Sequence, residues 1–111
     1  RLMVKPVKDA GNASKDMKSF PTSVKAELLA ILNEYGASTV GPPKVKRVPG
    51  TRFKLYEARV RHPVDQTIYR LFFTPGKDAI YALSAFQKKS QTTPRQEIDR
   101  AEKRLVRAGL T

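Results

Sequence analysis

Three strand-like runs joined by two short turns constrain this chain more than any other feature. The runs are residues 56–61, 68–73 and 80–86. The connecting turns, 62–67 and 74–78, contain proline and are short enough for β-hairpins. The last run is almost entirely apolar, which is typical of a strand covered on both faces. The sequence therefore predicts an antiparallel meander of three strands.

Alternation along the first run separates an apolar side of the strand from a charged side. Period-2 geometry places Glu57, Arg59 and Arg61 together on the charged side. Arg70 lies between two large apolar residues of the second run, and an antiparallel register turns it towards the same face. A guanidinium on a strand that looks buried is costly unless it has a partner or a ligand. We therefore expect Arg59, Arg61 and Arg70 to share one open, cationic sheet face, with Glu57 close by.

The segment before the meander is predicted to form an edge strand and two helices. Residues 2–7 suit a short strand that Pro6 confines to a sheet edge. Residues 9–20 and 21–35 carry apolar residues at helical intervals, and Gly36 is expected to end the second helix in the left-handed conformation. Both helices should cover one sheet face, because their stripes need apolar partners. The stripe of the second helix is Val24, Leu28, Ile31, Leu32 and Tyr35. The strand residues expected beneath it are Tyr69, Leu71, Tyr81 and Leu83.

The remaining segments complete an α+β domain that we expect to span residues 1–111. Residues 37–50 are rich in proline, glycine and cations and predict a loop with little regular structure. A capping box formed by Thr93 and Gln96 predicts a C-terminal helix, which Gly109 ends. The expected fold is a small antiparallel sheet, mixed through its edge strand, with two N-terminal helices on one face and a C-terminal helix.

The excess of positive charge points to an anionic partner. Twenty-two Lys and Arg residues against ten Asp and Glu give a net charge of +12. Nucleic acid is the first candidate, an acidic protein the second and an anionic membrane surface the third. Seven basic residues and one acid lie between residues 44 and 61, and this cluster predicts an RNA-binding track along the phosphate backbone. The seven are Lys44, Lys46, Arg47, Arg52, Lys54, Arg59 and Arg61.

Several functional classes are excluded by what the chain lacks. There is no cysteine and only one histidine, His62, so neither a disulfide framework nor a thiolate or histidine metal cluster is expected. No apolar run approaches the length of a membrane span, and no signal-peptide pattern opens the chain. We therefore expect a cytoplasmic protein with no metal, no cofactor and no membrane partner. Because the chain opens with Arg1 rather than methionine, we expect it to lack its true start.

A cationic sheet face suits RNA cleavage, which needs no cofactor. The 2′-hydroxyl is the nucleophile, so the protein must stabilise charge on the phosphorane, orient the attack and move two protons. Arginine side chains suit the first task, and a lysine among cations can have its pKa lowered enough to transfer a proton. Glu57 is either a base or an ion-pair partner of the arginines. The candidate catalytic residues are Glu57, Arg59, Arg61, Arg70, Lys88 and Lys89.

Three segments resemble the RelE/ParE superfamily of bacterial toxins, and more narrowly its HigB-like, phage-derived branch. They are KLYEARVR, YRLFF and ALSAFQKKSQTTPRQEIDRAEKR, and the resemblance covers about residues 19–104. It implies a RelE-like fold and a metal-independent endoribonuclease, an mRNA interferase, that acts on ribosomes and inhibits translation. It also implies a partner, a DNA-binding antitoxin of the helix-turn-helix type, that holds the toxin inactive.

The resemblance extends to single residues. Arg70 matches the arginine that contacts the scissile phosphate, and Lys88 or Lys89 matches the basic residue after the final strand. Arg59 and Arg61 match basic residues of the family's second main strand. Glu57 stands where some RelE proteins carry a catalytic lysine, and the last helix lacks the tyrosine that RelE proteins keep there.

Two other functions fit the same fold. One is a ParE-type poison of DNA gyrase, which binds protein and needs no catalytic residues. The other is a plain RNA-binding module without activity. The KKSQTTP segment favours RNA cleavage over gyrase inhibition.

Overall fold

The computed structural model describes residues 4–39, 44–88 and 95–110, and within these ranges the chain forms a sheet of five strands with three helices. The predicted α+β class is confirmed. The strands are β1 (Val7–Asp9), β2 (Val45–Arg47), β3 (Tyr56–Arg61), β4 (Ile68–Pro75) and β5 (Ile80–Lys88). The helices are α1 (Ala13–Asp16), α2 (Thr22–Gly36) and α3 (Arg95–Arg107). None of these helices has the length and apolar character needed to cross a membrane.

The strand order is β1-β5-β4-β3-β2, and the predicted meander of β3, β4 and β5 is confirmed. β1 lies parallel to β5 and makes the sheet mixed at that edge. This edge strand begins at Val7, so residues 4–6 of the predicted strand 2–7 are not part of it, and residues 2–3 lie outside the described part of the chain. Pro6 has no N–H to donate, and it contributes only its carbonyl oxygen, which accepts from the Ile80 amide at 2.8 Å.

β2 contradicts the prediction that residues 37–50 form a loop with little regular structure. Val45, Lys46 and Arg47 pair antiparallel with β3, and Val45 is buried against the helices. Pairing of this short run supplies partners for backbone groups of β3 that would otherwise stay open at the sheet edge. Residues 40–43 lie outside the described part of the chain.

α1 is shorter than the helix predicted over residues 9–20. Asp9 belongs to β1, yet its carboxylate accepts hydrogen bonds from the amides of Ala13 (2.7 Å) and Ser14 (3.0 Å), as expected of a cap. Asn12 has a φ of 63°, so the chain turns sharply between the strand and the helix. The strand continues to Asp9 because β5 offers it hydrogen-bonding partners, and this displaces the helix start to Ala13.

Helices α1 and α2 cover one sheet face and form the first core, as predicted. Tyr69 and Leu71 are buried beneath α2, and the rings of Phe20 and Tyr69 lie 4.7 Å apart. The buried residues of the α2 stripe are Val24, Leu28, Ile31 and Leu32. Burying these branched side chains removes apolar surface from water and docks the helix on the sheet.

A β-bulge in β5 overturns the expectation that Tyr81 and Leu83 also face α2. Phe72 pairs with Ser84 while Phe73 pairs with Ala82, so Leu83 is an extra residue on β5. The bulge shifts the alternation, and Leu83 joins the core on the opposite sheet face. Tyr81 is only partly buried.

Helix α3 and the segment 48–55 form a second core on the face opposite α1 and α2. Phe72, Leu83 and Phe86 of the sheet pack in it, together with Val48 and Leu55. The α3 residues in this core are Ile98, Ala101 and Leu105. Gly109, with a φ of 73°, follows the helix as predicted. Thr93 of the predicted capping box lies outside the described residues.

Gly36 is needed for a reason other than the predicted left-handed conformation. It is the last residue of α2, and the positive φ of 61° belongs to Ser38. A Cβ on Gly36 would lie 2.5 Å from the carbonyl oxygen of Lys5, so no larger residue fits where the chain before β1 crosses the helix end.

The edge of β5 beyond Ala82 is closed by side chains of two helices. The Ala85 amide donates to Asp16 of α1 at 3.1 Å, and the carbonyls of Leu83 and Ala85 accept from Arg104 and Arg100 of α3, each at 3.0 Å. Arg104 also forms an ion pair with Asp16. These contacts join α1, β5 and α3 around one side of the sheet.

Docking of α2 can be tested with two adjacent leucines. Leu28 is fully buried and Leu29 is 40% exposed. Leu28→Ala should lower the free energy of unfolding by about 2–5 kcal/mol, because it leaves a cavity. Leu29→Ala should change it by less than about 0.5 kcal/mol. Equal losses in urea denaturation would contradict the docking of α2.

Candidate functional site

The four charged residues predicted to share a sheet face do so. β3 contributes Glu57, Arg59 and Arg61 on the side away from the first core, and Arg59 pairs directly with Arg70 of β4. Like charges placed opposite each other across two strands repel. The register therefore concentrates positive charge at Arg59 and Arg70, and the Glu57 carboxylate lies beside them.

Arg70 is buried in an ion pair, which contradicts the expectation that the face is open at this residue. Its Nη1 donates to Oε1 of Glu57, and the side chains of Glu57 and Arg70 are only 10% and 6% exposed. Phe86 pairs with Arg70 on the other side and belongs to the second core. Burial of this face depends on α3 and segment 48–55, which the strand pattern does not reveal.

The ion pair leaves part of its hydrogen-bonding capacity unused. Among the described residues, Oε2 of Glu57 and Nε of Arg70 have no partner. Burial lowers the pKa of Arg70 below its ordinary value, attraction to Glu57 opposes this, and repulsion from Arg59 adds to it. Guanidinium groups keep their proton in proteins, so the site retains its positive charge.

On the charged face of the sheet, the part that solvent reaches is a row of four cations. We term this row the cationic strip, and its members are Lys44, Lys46, Arg59 and Arg61. Lys46 pairs with Glu57 across β2 and β3, so it faces the same side of the sheet. The carbonyl of Lys44 accepts from the Arg59 amide at 3.1 Å, which places Lys44 beside Arg59. Arg59 is half-buried, and the other three are exposed. The strip therefore places exposed positive charge beside the buried pair.

The other three residues of the predicted RNA-binding track lie elsewhere, so the cluster is not one continuous surface. Arg47 pairs with Tyr56 on the opposite face, with its guanidinium 5.6 Å from the Tyr56 ring centre. Arg52 lies over the ring of Phe53 at 5.0 Å. Lys54 lines a separate cavity of about 460 Å³. Alternation along β2 and the path of segment 48–55 divide residues that are close in sequence.

The two predicted lysines at the end of β5 are only partly described. The backbone of Lys88 pairs with Ile68, which itself pairs with Arg61. This register brings the end of β5 to the same end of the sheet as Arg61. The side chain of Lys88, and Lys89 as a whole, lie outside the described part of the structure, and their roles stay predictions.

A groove of about 760 Å³ lies between segment 50–53 and helix α3. Residues of α3 line it at positions 95, 99, 103 and 107, a four-residue spacing on the polar side of the helix. This spacing is visible in the sequence. These residues form one wall of a groove only because segment 50–53 packs opposite them.

The fold and the charged face define a small basic α+β protein consistent with a RelE-like fold. Residues 15–106 match the family described as phage-derived protein Gp49-like, and the chain belongs to this family. The family is associated with RelE-type, toxin-like proteins. The matched segment contains the cationic strip, the ion pair and most of α3. Comparison with curated protein sequences finds no match.

A double-mutant cycle can test the coupling of Glu57 and Arg70. Either Glu57→Leu or Arg70→Met alone should cost about 3–5 kcal/mol, because the remaining charge is buried without its partner. The double variant should be more stable than either single variant, since it replaces both charges with apolar groups. Arg61→Met is the control and should shift stability by less than about 0.5 kcal/mol. Additive losses in chemical denaturation would show that the two side chains are not coupled.

Proposed function

We propose that this protein is the toxin of a type II toxin–antitoxin pair and acts as a ribosome-associated mRNA endoribonuclease that inhibits translation. The observation that carries the proposal is the placement of Arg59 and Arg61 on one sheet face beside the buried Arg70. Membership of a family associated with toxin-like proteins supports the same conclusion.

In the proposed reaction, the 2′-oxygen of the RNA attacks the adjacent phosphorus and the bond to the 5′-oxygen breaks. Arg59 and Arg61 bind the non-bridging oxygens through bidentate hydrogen bonds. Arg70 lies beside Arg59 on the neighbouring strand, and an anion bound at Arg59 reduces the repulsion between the two guanidinium groups. This stabilisation grows as the phosphorane gains charge, so it favours the transition state over bound substrate.

Glu57 has a positioning role in this mechanism. It is buried and paired with Arg70, and it holds the guanidinium in place instead of acting as the base. Proton transfer is assigned to Lys88 or Lys89, because the backbone register brings the end of β5 close to Arg61. Lysine side chains can transfer protons where neighbouring cations disfavour their charged form.

The exposed lysines of the strip extend the proposed RNA contact beyond the scissile phosphate. Lys44 and Lys46 lie beside Arg59 and Glu57 on the edge strand. They are placed to bind neighbouring phosphates, which makes affinity dependent on salt without giving sequence preference.

A DNA-binding antitoxin completes the proposed system. The net charge of +12 makes an acidic contact surface on that partner favourable, because it relieves self-repulsion and speeds association at low salt. The alternative on the same fold, a gyrase poison, does not require the cationic strip.

Cleavage should depend on the strip and not on net charge. Arg59→Ala should reduce mRNA cleavage by about two orders of magnitude, the effect of losing one donor to a developing oxyanion. Lys77→Ala, an exposed cation in the turn between β4 and β5, is the control and should cleave at the parental rate. Primer extension on cellular mRNA after induced expression measures the cuts, and thermal melts verify folding.

Two outcomes contradict the proposal. Intact transcripts accompanied by double-strand DNA breaks would identify the gyrase poison instead. A folded Arg59→Ala variant that cleaves at the parental rate would remove the strip from the catalytic site.

A further inference from the structure

The cavity of about 460 Å³ that Lys54 lines lies at the end of the sheet where β4 turns into β5. Pro75 and Ile80 pair with each other at the base of that turn, and both line the cavity. The end of α2 also lines it, through residues 35, 36 and 38. Its volume lies within the range of roughly 300–1,000 Å³ that is usual for small-molecule sites. None of these residues belongs to the cationic strip, so the cavity is a separate surface.

Two lysines approach the cavity from the two sides of the β4–β5 hairpin. Lys5 lies just before β1, which pairs with β5, and Lys54 lies just before β3, which pairs with β4. The ammonium group of Lys5 donates to the Gly76 carbonyl at 2.8 Å and keeps further donors for a ligand. Lys54 is exposed and forms no ion pair within the described part of the chain. Since none of the described lining residues is acidic, the positive charge of the cavity is not balanced locally.

The end of α2 does not cancel this charge. A helix carries partial negative charge at its C-terminus when the last carbonyl groups have no partners. Here the carbonyls of residues 33–35 accept from the amides of Ala37 and Ser38. The Gly36 carbonyl accepts from the Lys5 amide at 3.2 Å. These hydrogen bonds occupy the carbonyls of the last turn, so the lysines determine the charge of the cavity.

Tyr35 and Ser38 add hydroxyl groups to the lining. The ring centre of Tyr35 lies 5.6 Å from that of Tyr56 and 5.1 Å from that of Phe73, which leaves Tyr35 half-buried. Burial and the neighbouring Tyr56 raise the pKa of Tyr35, so its hydroxyl keeps its proton and can donate. The Tyr35 ring and Pro75 also give the cavity an apolar wall. The lining therefore combines cations, neutral donors and an aromatic surface.

We propose that this cavity binds a nucleoside monophosphate, with the phosphate group held by Lys5 and Lys54. A phosphate monoester carries a charge of about −1.5 to −2 at pH 7, which matches the two ammonium groups. The hydroxyls of Tyr35 and Ser38 donate to phosphate or ribose oxygens. The base lies against the Tyr35 ring and Pro75, because aromatic side chains stack on bases of any kind.

A continuous RNA strand suits the cavity less well than a phosphate monoester. Each phosphate within a strand carries a single negative charge, so it balances only one of the two lysines. The lining comes from four parts of the chain: the stretches before β1 and β3, the end of α2 and the β4–β5 hairpin. A pocket bounded in this way accommodates the end of a molecule more readily than a backbone that continues past it. The proposal does not depend on RNA cleavage, which involves other residues.

NMR titration of the full chain with adenosine monophosphate tests the site. The amides of Ser38 and Lys54 should show saturable shifts with a Kd below about 1 mM, the weak end of measurable affinity. Inorganic phosphate should bind more weakly, because it makes no contact with the aromatic wall. Unphosphorylated adenosine should also bind more weakly, because it lacks the charge. Affinity for the nucleotide should fall as the pH drops through about 6, where the phosphate gains its second proton.

Two substitutions that change the net charge equally locate the binding. Lys54→Gln should weaken nucleotide binding by about tenfold or more, which corresponds to about 1.4 kcal/mol. Lys18→Gln is the matched control and should leave the Kd unchanged, because Lys18 is exposed between α1 and α2, away from the cavity lining. Tyr35→Phe should weaken binding by about two- to tenfold, the effect of losing one neutral hydrogen bond. Thermal melts verify folding, and Tyr35→Phe decides the outcome if Lys54→Gln is unfolded.

Four results would overturn the proposal. The first is the absence of saturable shifts at the cavity with millimolar nucleotide. The second is equal weakening by Lys54→Gln and Lys18→Gln, which would show attraction to the net charge alone. The third is equal affinity for inorganic phosphate, which would exclude the nucleoside from the site. The fourth is an RNA oligonucleotide without a terminal phosphate that displaces the nucleotide, which would make the cavity a contact for the RNA backbone.

Discussion

Strand β4 must be covered on both sides of the sheet, and the rest of the fold is arranged around that requirement. Every residue from Tyr69 to Thr74 is buried. Helices α1 and α2 cover one face, whereas α3 and segment 48–55 cover the other. A charged residue in such a strand needs a partner in the same layer, and Glu57 provides it for Arg70. Packing and the chemistry of the site are therefore consequences of the same constraint.

Much of the fold could be predicted because the sequence carries strong periodic signals. The α2 stripe, the two hairpin turns and the alternation of β3 each determine local structure and orientation. β2 and the bulge at Leu83 could not be predicted in this way. β2 is three residues long and is stabilised by the neighbouring edge of β3, and the bulge is visible only in the register between β4 and β5. Both depend on the pairing of one strand with another, which the pattern within a single segment does not specify.

The candidate site, like the fold, could be predicted from the sequence only in part. Alternation was sufficient to place Glu57, Arg59, Arg61 and Arg70 on one face. It could not show that Arg70 is buried, because its burial depends on how α3 and segment 48–55 pack over the sheet. Arg47 was grouped with the strip because residues 37–50 were expected to form a loop, so the alternation along β2 that turns Arg47 to the opposite face was not applied. The charged residues of the candidate site are divided between a buried pair and an accessible row, and only the three-dimensional packing distinguishes the two.

The side chains that close the outer edge of β5 also affect how the protein behaves at high concentration. A free strand edge presents unpaired amides and carbonyls, and these invite pairing with strands of other molecules. Here Asp16, Arg100 and Arg104 occupy such groups, and the opposite edge is the short strand β2 with its exposed Lys46 and Arg47. Charged residues at both margins oppose the templated growth of fibres. The helices that complete the two cores therefore also cover backbone groups at one margin of the sheet.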